Sequence, residues 1–168
     1  CGALEKAREV FIGLRERSVV SWNALTAGYV QHGHGDAALG CFRRMQDEGI
    51  SPDGVSFASI LKACGSVGSL EIGYGIHAQI KNQGLLEKDI VLATALLDMY
   101  AKCGVLVKAQ EAFEQFPERN VVVWSALIAG YVQHGYGDTA LECFRKMQDE
   151  GVSPNFVTFI SVLKACGI

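Results

Sequence analysis

Val19 to Asp53 reads VVSWNALTAGYVQHGHGDAALGCFRRMQDEGISPD, and Val121 to Asn155 reads VVVWSALIAGYVQHGYGDTALECFRKMQDEGVSPN. Trp22 recurs as Trp124, 102 residues on, and the same interval carries Cys1 to Cys103, Cys41 to Cys143 and Cys64 to Cys166. About two-thirds of the positions that overlap at this interval are identical. Self-similarity at a long fixed interval marks a stacked-repeat protein rather than a globular enzyme. Inside the stretch, Trp22, Leu25 and Tyr29 fall along one side of a helix expected from about Ser21 to His32. Gly33 and Gly35 break it, and Asp36 is expected to cap a second helix carrying Ala38, Leu39, Phe42 and Met45. That helix stops at Gly49, and Pro52 bars its continuation. A hairpin of about 35 residues cannot bury both of its faces, so it must stack on its neighbours.

The flanking segments follow the same plan. In Cys1 to Ser18, Leu4, Ala7, Phe11 and Leu14 form one apolar stripe, matched by Leu106, Ala109, Phe113 and Phe116 in Cys103 to Asn120. Both read as the second helix of a pair, the first copy lacking its first helix. Gly54 to Asp89 repeats the hairpin, with Phe57, Ile60, Leu61 and Cys64 on its first helix and Leu70, Ile72, Ile76, His77 and Ile80 on its second. Ile90 to Asn120 is a shorter version, with Leu92, Leu96, Met99 and Tyr100 before a break at Gly104. Phe156 to Ile168 opens another hairpin. The predicted fold is therefore all-α: a right-handed solenoid of helix-turn-helix hairpins whose first helices line a concave face.

The 168 residues, 49% of them hydrophobic, suffice for a packed core and exclude disorder. Apolar runs such as Ile90 to Leu97 fall far short of a membrane span. The chain begins at Cys1 without methionine, so it is expected to be a piece of something longer, with any targeting segment elsewhere. Each cysteine recurs at an equivalent place and none forms a CxxC pair, so packing thiols in a reducing compartment are expected. A net charge of −3 argues against a generic nucleic-acid binder, though not against a groove with its own local charge.

With the repeats laid out, motifs such as SWNALTAGYVQHG, ILKACGSVGSLEIG, ALLDMYAKCG and AQEAFEQFPERN resemble the pentatricopeptide repeat (PPR) family over essentially the whole chain. The resemblance is to its plant PLS class, in which P, L and S motifs of slightly different length alternate. It divides the chain into a partial S motif at 1–18, P at 19–53, L at 54–89, S at 90–120, P at 121–155 and a partial L at 156–168. The tetratricopeptide repeat, a peptide-binding scaffold, shares the spacing of Trp22, Leu25, Tyr29, Ala38 and Phe42 and is the alternative. The length cycle favours the first family, as does variation at Asn23/Ser125 and Asp53/Asn155 amid nearly unchanged neighbours.

The resemblance implies sequence-specific binding of single-stranded RNA, one base per repeat. In the family the second residue of a motif packs against the base, which here implies Val20, Val55, Val91, Val122 and Val157. The fifth and last residues read the base edge, which implies the pairs Asn23/Asp53, Ala58/Asp89, Thr94/Asn120 and Ser125/Asn155. An ionised Asp only accepts, which suits the ring N–H of U or G, whereas an Asn amide can donate to A or C. In the family a fifth-place Asn goes with pyrimidines and Ser or Thr with purines, so the implied RNA is U-N-A-A, with no base assigned to the L motif. Lys102 is expected near a phosphate, at the place Gln31 and Gln133 hold in the P motifs.

The resemblance further implies a target-recognition role in C-to-U RNA editing in chloroplasts or mitochondria, with the L motif open to editing cofactor proteins. The deaminase HxE…PCxxC signature does not occur, nor does GxSxG, a P-loop or a dinucleotide fingerprint. His32-Gly33-His34 becomes His134-Gly135-Tyr136 in the second copy and falls in a turn, so no metal is expected there. Asp47-Glu48 and Asp149-Glu150 read as solvated helix ends. No catalytic residue, metal or cofactor is expected of this chain.

Overall fold

The computed structural model describes residues 2–86 and 89–167, and Cys1 and Ile168 lie outside the described residues. Among the described residues there are ten helices and no strand: α1 (Gly2–Ile12), α2 (Val19–Gln31), α3 (Gly35–Asp47), α4 (Gly54–Val67), α5 (Leu70–Asn82), α6 (Ile90–Lys102), α7 (Leu106–Glu114), α8 (Val121–Gln133), α9 (Gly137–Asp149) and α10 (Phe156–Ala165). Each of α2, α4, α6 and α8 forms a hairpin with the odd-numbered helix after it.

Local sequence sets the helix ends. Helix α2 starts at Val19, two residues earlier than its apolar spacing suggests, because Ser18 closes a capping box with Ser21. It ends where Gly33 takes the left-handed region at φ 76°, which lets the chain reverse without a side-chain clash. Helix α3 then enters through His34 and Gly35, so Asp36 is not the cap. It lies in the first turn, where its charge still complements the exposed N–H groups.

The even-numbered helices pack side by side, α2 on α4, α4 on α6, α6 on α8 and α8 on α10. No two odd-numbered helices come within 8 Å of one another, Cα to Cα. An inner layer that touches and an outer layer that splays form a curved solenoid with the even-numbered helices on its concave side. Most of the core is one continuous cluster from Ala38 to Met147, including Phe57, Leu61, Leu96, Phe113, Trp124 and Ile128. A smaller cluster joins Phe11, Trp22, Leu25, Cys41 and Met45.

The 102-residue repeat is also physical. Phe11 meets Trp22 edge-on with centroids 4.5 Å apart, and Phe113 meets Trp124 at the same 4.5 Å. The Arg17 guanidinium sits 5.2 Å over the Phe11 ring, as Arg119 does over Phe113. Each arginine reaches the acidic end of the next hairpin, Arg17 to Glu48 at 2.6 Å and Arg119 to Glu150 at 3.3 Å. These glutamates are therefore not merely a solvated face: each ties a second helix to the linker before its hairpin. The apolar stripe of α7 is largely covered, with Ala109, Phe113 and Phe116 buried, whereas on α1 only Phe11 is buried. Helix α1 packs on α2 alone, which leaves Ala7 and Leu14 exposed.

Cys41, Cys64 and Cys143 are buried as packing thiols, Cys103 is half-buried and Cys166 is exposed. Burial pushes the Cys64 and Cys143 thiols up to about 11. His32 and His34 are exposed in the α2–α3 turn, where His32 Nδ1 lies 2.8 Å from the Gly28 carbonyl. No helix is long and apolar enough to cross a membrane among the described residues.

Candidate nucleic-acid interface

The concave face is built from α2, α4, α6, α8 and α10, and its chemistry begins at their N-terminal ends. Val20, Val55, Val91, Val122 and Val157 are each the second residue of their helix. All five are between 45% and 71% exposed, so none is a buried turn residue. A branched apolar side chain held in water five times over, at one register of a helical layer, presents a row of apolar wedges to whatever lies along the face.

Immediately before each valine-bearing helix stands its cap. Asp53, Asp89, Asn120 and Asn155 cap α4, α6, α8 and α10 through their side-chain oxygens. The cap occupies Oδ1: Asp89 Oδ1 accepts from Val91 N at 2.9 Å, and Asn120 Oδ1 from Val122 N at 2.9 Å. Helix N-termini need such an acceptor, so these positions favour Asp, Asn, Ser and Thr for structural reasons alone. The cap leaves the second terminal atom, Oδ2 of Asp or Nδ2 of Asn, without a hydrogen-bond partner among the described residues. An Asp there offers only an acceptor and an Asn there offers donors.

The structure joins two of the four expected pairs. Asn23 Nδ2 donates to Asp53 Oδ1 at 2.9 Å across 30 residues of chain. Ser125 Oγ lies 2.7 Å from Thr158 Oγ1, which in turn lies 3.0 Å from Asn155 Oδ1. The other two pairs are not bonded. Ala58 has no polar side-chain atom and is buried. Thr94 Oγ1 donates back to the Ile90 carbonyl at 2.6 Å, while Asn120 is engaged with α8. Burial works to raise the pKa of Asp53, but hydrogen bonds, those of Ser56 N–H and Asn23 foremost, outweigh it and hold the carboxyl below its ordinary value. Asp53 is thus an anion and an acceptor at neutral pH.

Between α6 and α8 the face deepens into an open groove of about 400 Å³, with Val91, Val122 and Thr94 on its walls and Ala101 and Gly130 among its small lining residues. Lys62 and Asp98 also line it. Lys102 is not free: its ammonium pairs with Asp98 Oδ2 at 2.8 Å one turn away. The sequence reading missed Lys62, although it is the only charged residue on α4. All five concave helices together carry Lys62, Lys102 and Lys164 against the single acid Asp98. The chain's negative balance of −3 therefore belongs to the outer helices, linkers and caps. Ser56 and Thr158 were also missed, and the spacings Asp53-x-x-Ser56 and Asn155-x-x-Thr158 are the capping-box signal that would have found them.

Two sequence profiles match most of the chain: the PPR repeat family over residues 17–66 and 119–167, and the PPR repeat over residues 91–121. Among Arabidopsis thaliana relatives, the chloroplastic pentatricopeptide repeat-containing protein At3g22150 is 40% identical over 92% of this chain and 19% of its own length. The mitochondrial pentatricopeptide repeat-containing protein At1g77170 is 40% identical over 98% of this chain and 36% of its own. The chain thus spans roughly a fifth to a third of the relatives it matches. Among solved structures, the pentatricopeptide repeat protein PPR10 from maize superposes with a TM-score of 0.78 at 25% identity, over 99% of this chain and 25% of that one. PPR10 in complex with an 18-nt psaJ RNA element superposes with a TM-score of 0.79 at 20% identity, over 94% of this chain and 24% of that one. The shared solenoid and the repeat profiles agree: this chain belongs to the PPR repeat family.

Proposed function

We propose that the chain binds single-stranded RNA by sequence along its concave face, one base per repeat. The observation that carries this reading is the Asn23–Asp53 bond, which fixes two hydrogen-bonding groups in the helical layer whose second residues include the exposed Val20 and Val55. The valines at 20, 55, 91, 122 and 157 pack against base faces. The pairs Asn23/Asp53, Thr94/Asn120 and Ser125/Asn155 read U, A and A, and Ala58/Asp89 reads no base, giving U-N-A-A. The motifs run 19–53, 54–89, 90–120 and 121–155 in the P, L, S, P order of the PLS class, flanked by partial motifs at 1–18 and 156–168. Lys62 and Lys102 face the backbone phosphates, Lys102 only after exchanging Asp98 for a phosphate. In the longer protein this face selects the target of organellar C-to-U editing, and the L motif meets editing cofactor proteins. An organellar setting agrees with relatives named chloroplastic and mitochondrial.

The test is fluorescence anisotropy at low salt with labelled U-N-A-A RNA in a neutral flank, against U-N-G-G and a DNA copy. Tighter binding to U-N-A-A is expected. Asn155→Asp is expected to move the last position from A toward G, a change worth about 1–3 kcal/mol if edge contacts follow the scale seen in DNA. Equal binding to all three strands would reduce the face to a sticky groove. No binding to any of them, with capture of a peptide ligand instead, would put a tetratricopeptide-like scaffold in its place.

A further inference from the structure

Two hydroxyl groups that belong to neither reading position lie between the reading pairs. Ser56 Oγ donates to Asn23 Oδ1 at 2.6 Å, and the same oxygen accepts from Asp53 N–H at 3.2 Å. Ser56 N–H meanwhile bonds Asp53 Oδ1 at 2.9 Å. Thr158 repeats this one full interval later: its Oγ1 touches Ser125 Oγ, it accepts from Asn155 N–H at 3.2 Å, and its N–H bonds Asn155 Oδ1 at 3.0 Å. Both hydroxyl residues are nearly sealed from water, Ser56 at 2% and Thr158 at 0% exposure. Where the next helix instead carries Leu92 or Val123 at its third place, the side chain is fully buried and apolar, and the reading pair before it is not linked.

We propose that Ser56 and Thr158 are positioning residues that set which atoms the pairs Asn23/Asp53 and Ser125/Asn155 present to a base. The inference rests on the RNA-reading function proposed above. An Asn amide can turn over, exchanging its oxygen and nitrogen with no change of shape. Ser56 has one hydroxyl hydrogen and two acceptors in reach, Asn23 Oδ1 at 2.6 Å and Asp53 Oδ1 at 3.0 Å, and the shorter contact takes it. By giving it to Asn23 Oδ1, Ser56 assigns that atom as the oxygen and leaves Asn23 Nδ2 on Asp53. One amide hydrogen of Asn23 and the Oδ2 of Asp53 then remain for the base, a donor beside an acceptor. That combination complements the carbonyl and ring N–H of uracil rather than the amino group and bare ring nitrogen of cytosine. Without Ser56, the amide keeps its place but its orientation rests on the Asn23 Nδ2–Asp53 bond alone. In the second copy the chain of hydroxyls engages Asn155 Oδ1, which leaves the Asn155 Nδ2 donors for the base, while the Ser125 hydroxyl is buried against Thr158.

The experiment uses the whole chain and RNAs that differ only at the base opposite Asn23/Asp53, with U and C compared directly. Ser56→Ala is expected to shrink the U-over-C ratio by about fivefold, the weight of one hydrogen bond. Ser56→Thr restores the ratio, and the preference at Ser125/Asn155 stays unchanged in both variants. An unchanged ratio in Ser56→Ala, or equal weakening toward every RNA, would overturn the proposal, because a merely structural hydroxyl moves affinity without preference. A second readout needs no RNA: solvent exchange of the Asn23 side-chain amide protons by NMR. They are expected to exchange slowly in the wild type, faster in Ser56→Ala and slowly again in Ser56→Thr. If the wild type ignores the base while exchange responds as expected, the reading function fails and the positioning stands. If exchange is fast or indifferent to Ser56, the positioning itself is wrong.

Discussion

Gly28 and Gly130 hold the same place in the two copies, three residues before the last of α2 and α8, yet alanine at these two positions is expected to act with opposite sign. A Cβ on Gly28 would meet only the flexible end of Leu4, its Cδ1 at 3.4 Å. A Cβ on Gly130 would lie 2.9 Å from the Cβ of Ala101 on α6. Two carbons need about 3.5–4.0 Å, so α8 must move away from α6 by roughly 0.6–1 Å. Neither Cβ can rotate out of the way. Alanine is favoured over glycine in a helix interior by about 0.8–1.0 kcal/mol, and this gain applies to both variants. Overpacking costs about 1–3 kcal/mol and applies to Gly130→Ala alone. Gly28→Ala should therefore stabilise by about 1 kcal/mol, and the two variants should differ by about 1–3 kcal/mol. Urea unfolding followed by circular dichroism reads this as midpoints separated by about 0.5–1.5 M. Adding Ala101→Gly to Gly130→Ala should show a favourable coupling energy, since it clears the clashing carbon. If Gly130→Ala raises the midpoint as much as Gly28→Ala does, the inner layer is not close-packed at α6–α8 and the reasoning fails.

Arg119→Ala should destabilise by about 1–2 kcal/mol through the uncovered Phe113 ring, whereas Glu150→Gln should cost less than about 1 kcal/mol because the ion pair is partly exposed. Urea midpoints at low and high salt separate the two contributions, and a larger loss from Glu150→Gln would reverse the assignment. His77, whose Nδ1 lies 2.7 Å from the Tyr100 hydroxyl, has its pKa lowered by burial first and then by Lys81 and Lys108. Its neutral form is the one that suits the fold, so stability is complete above about pH 6.5 and declines as pH falls toward the depressed value. His77→Gln should flatten the urea midpoint between about pH 7 and pH 5, a window above that of Asp53, and an unchanged slope would refute the link. Cys64 and Cys143, with thiols near 11, should resist iodoacetamide at about pH 8 in the folded chain and react in urea, while Cys166 reacts in both. Peptide mass spectrometry gives the site of each label.

The hairpins were legible because burial is periodic: Trp22, Leu25, Phe42 and Met45 announce their faces, and all are buried. The helix starts were less so. Apolar spacing placed α2 at Ser21 because Val20 lies off the buried stripe and Val19 is only partly covered, and only the Ser18 cap reveals the true start. Asp36 misled because an acidic residue after a glycine fits both a cap and a first turn, and the distinction lies in backbone angles. Arg17 and Arg119 look like solvated linker charges in the sequence, since their partners Glu48 and Glu150 are 31 residues away. Lys102 was read without Asp98, although an acid four residues before a lysine on one helix is a recognisable pair. The link from Ser56 to Asn23 was hidden for a different reason: it crosses between two repeats, whereas the resemblance assigns roles within one.

The concave helices all run the same way, so their caps share one margin of the groove and their later turns share the other. The carboxylates Asp53 and Asp89 stand at the first margin. Lys62, Lys102 and Lys164 stand nine to thirteen residues along, roughly 13–20 Å across the groove at the rise of an α-helix. The trough is thus electrically asymmetric across its width, even with Asp98 paired to Lys102 on the lysine side. A strand of polyanion lowered into it meets repulsion on one bank and attraction on the other, and it rolls until its phosphates rest on the lysine bank. Under the RNA-reading function proposed above, its bases then point to the caps. The overall charge of the chain says nothing about this torque, which acts within about a Debye length and fades as salt is added.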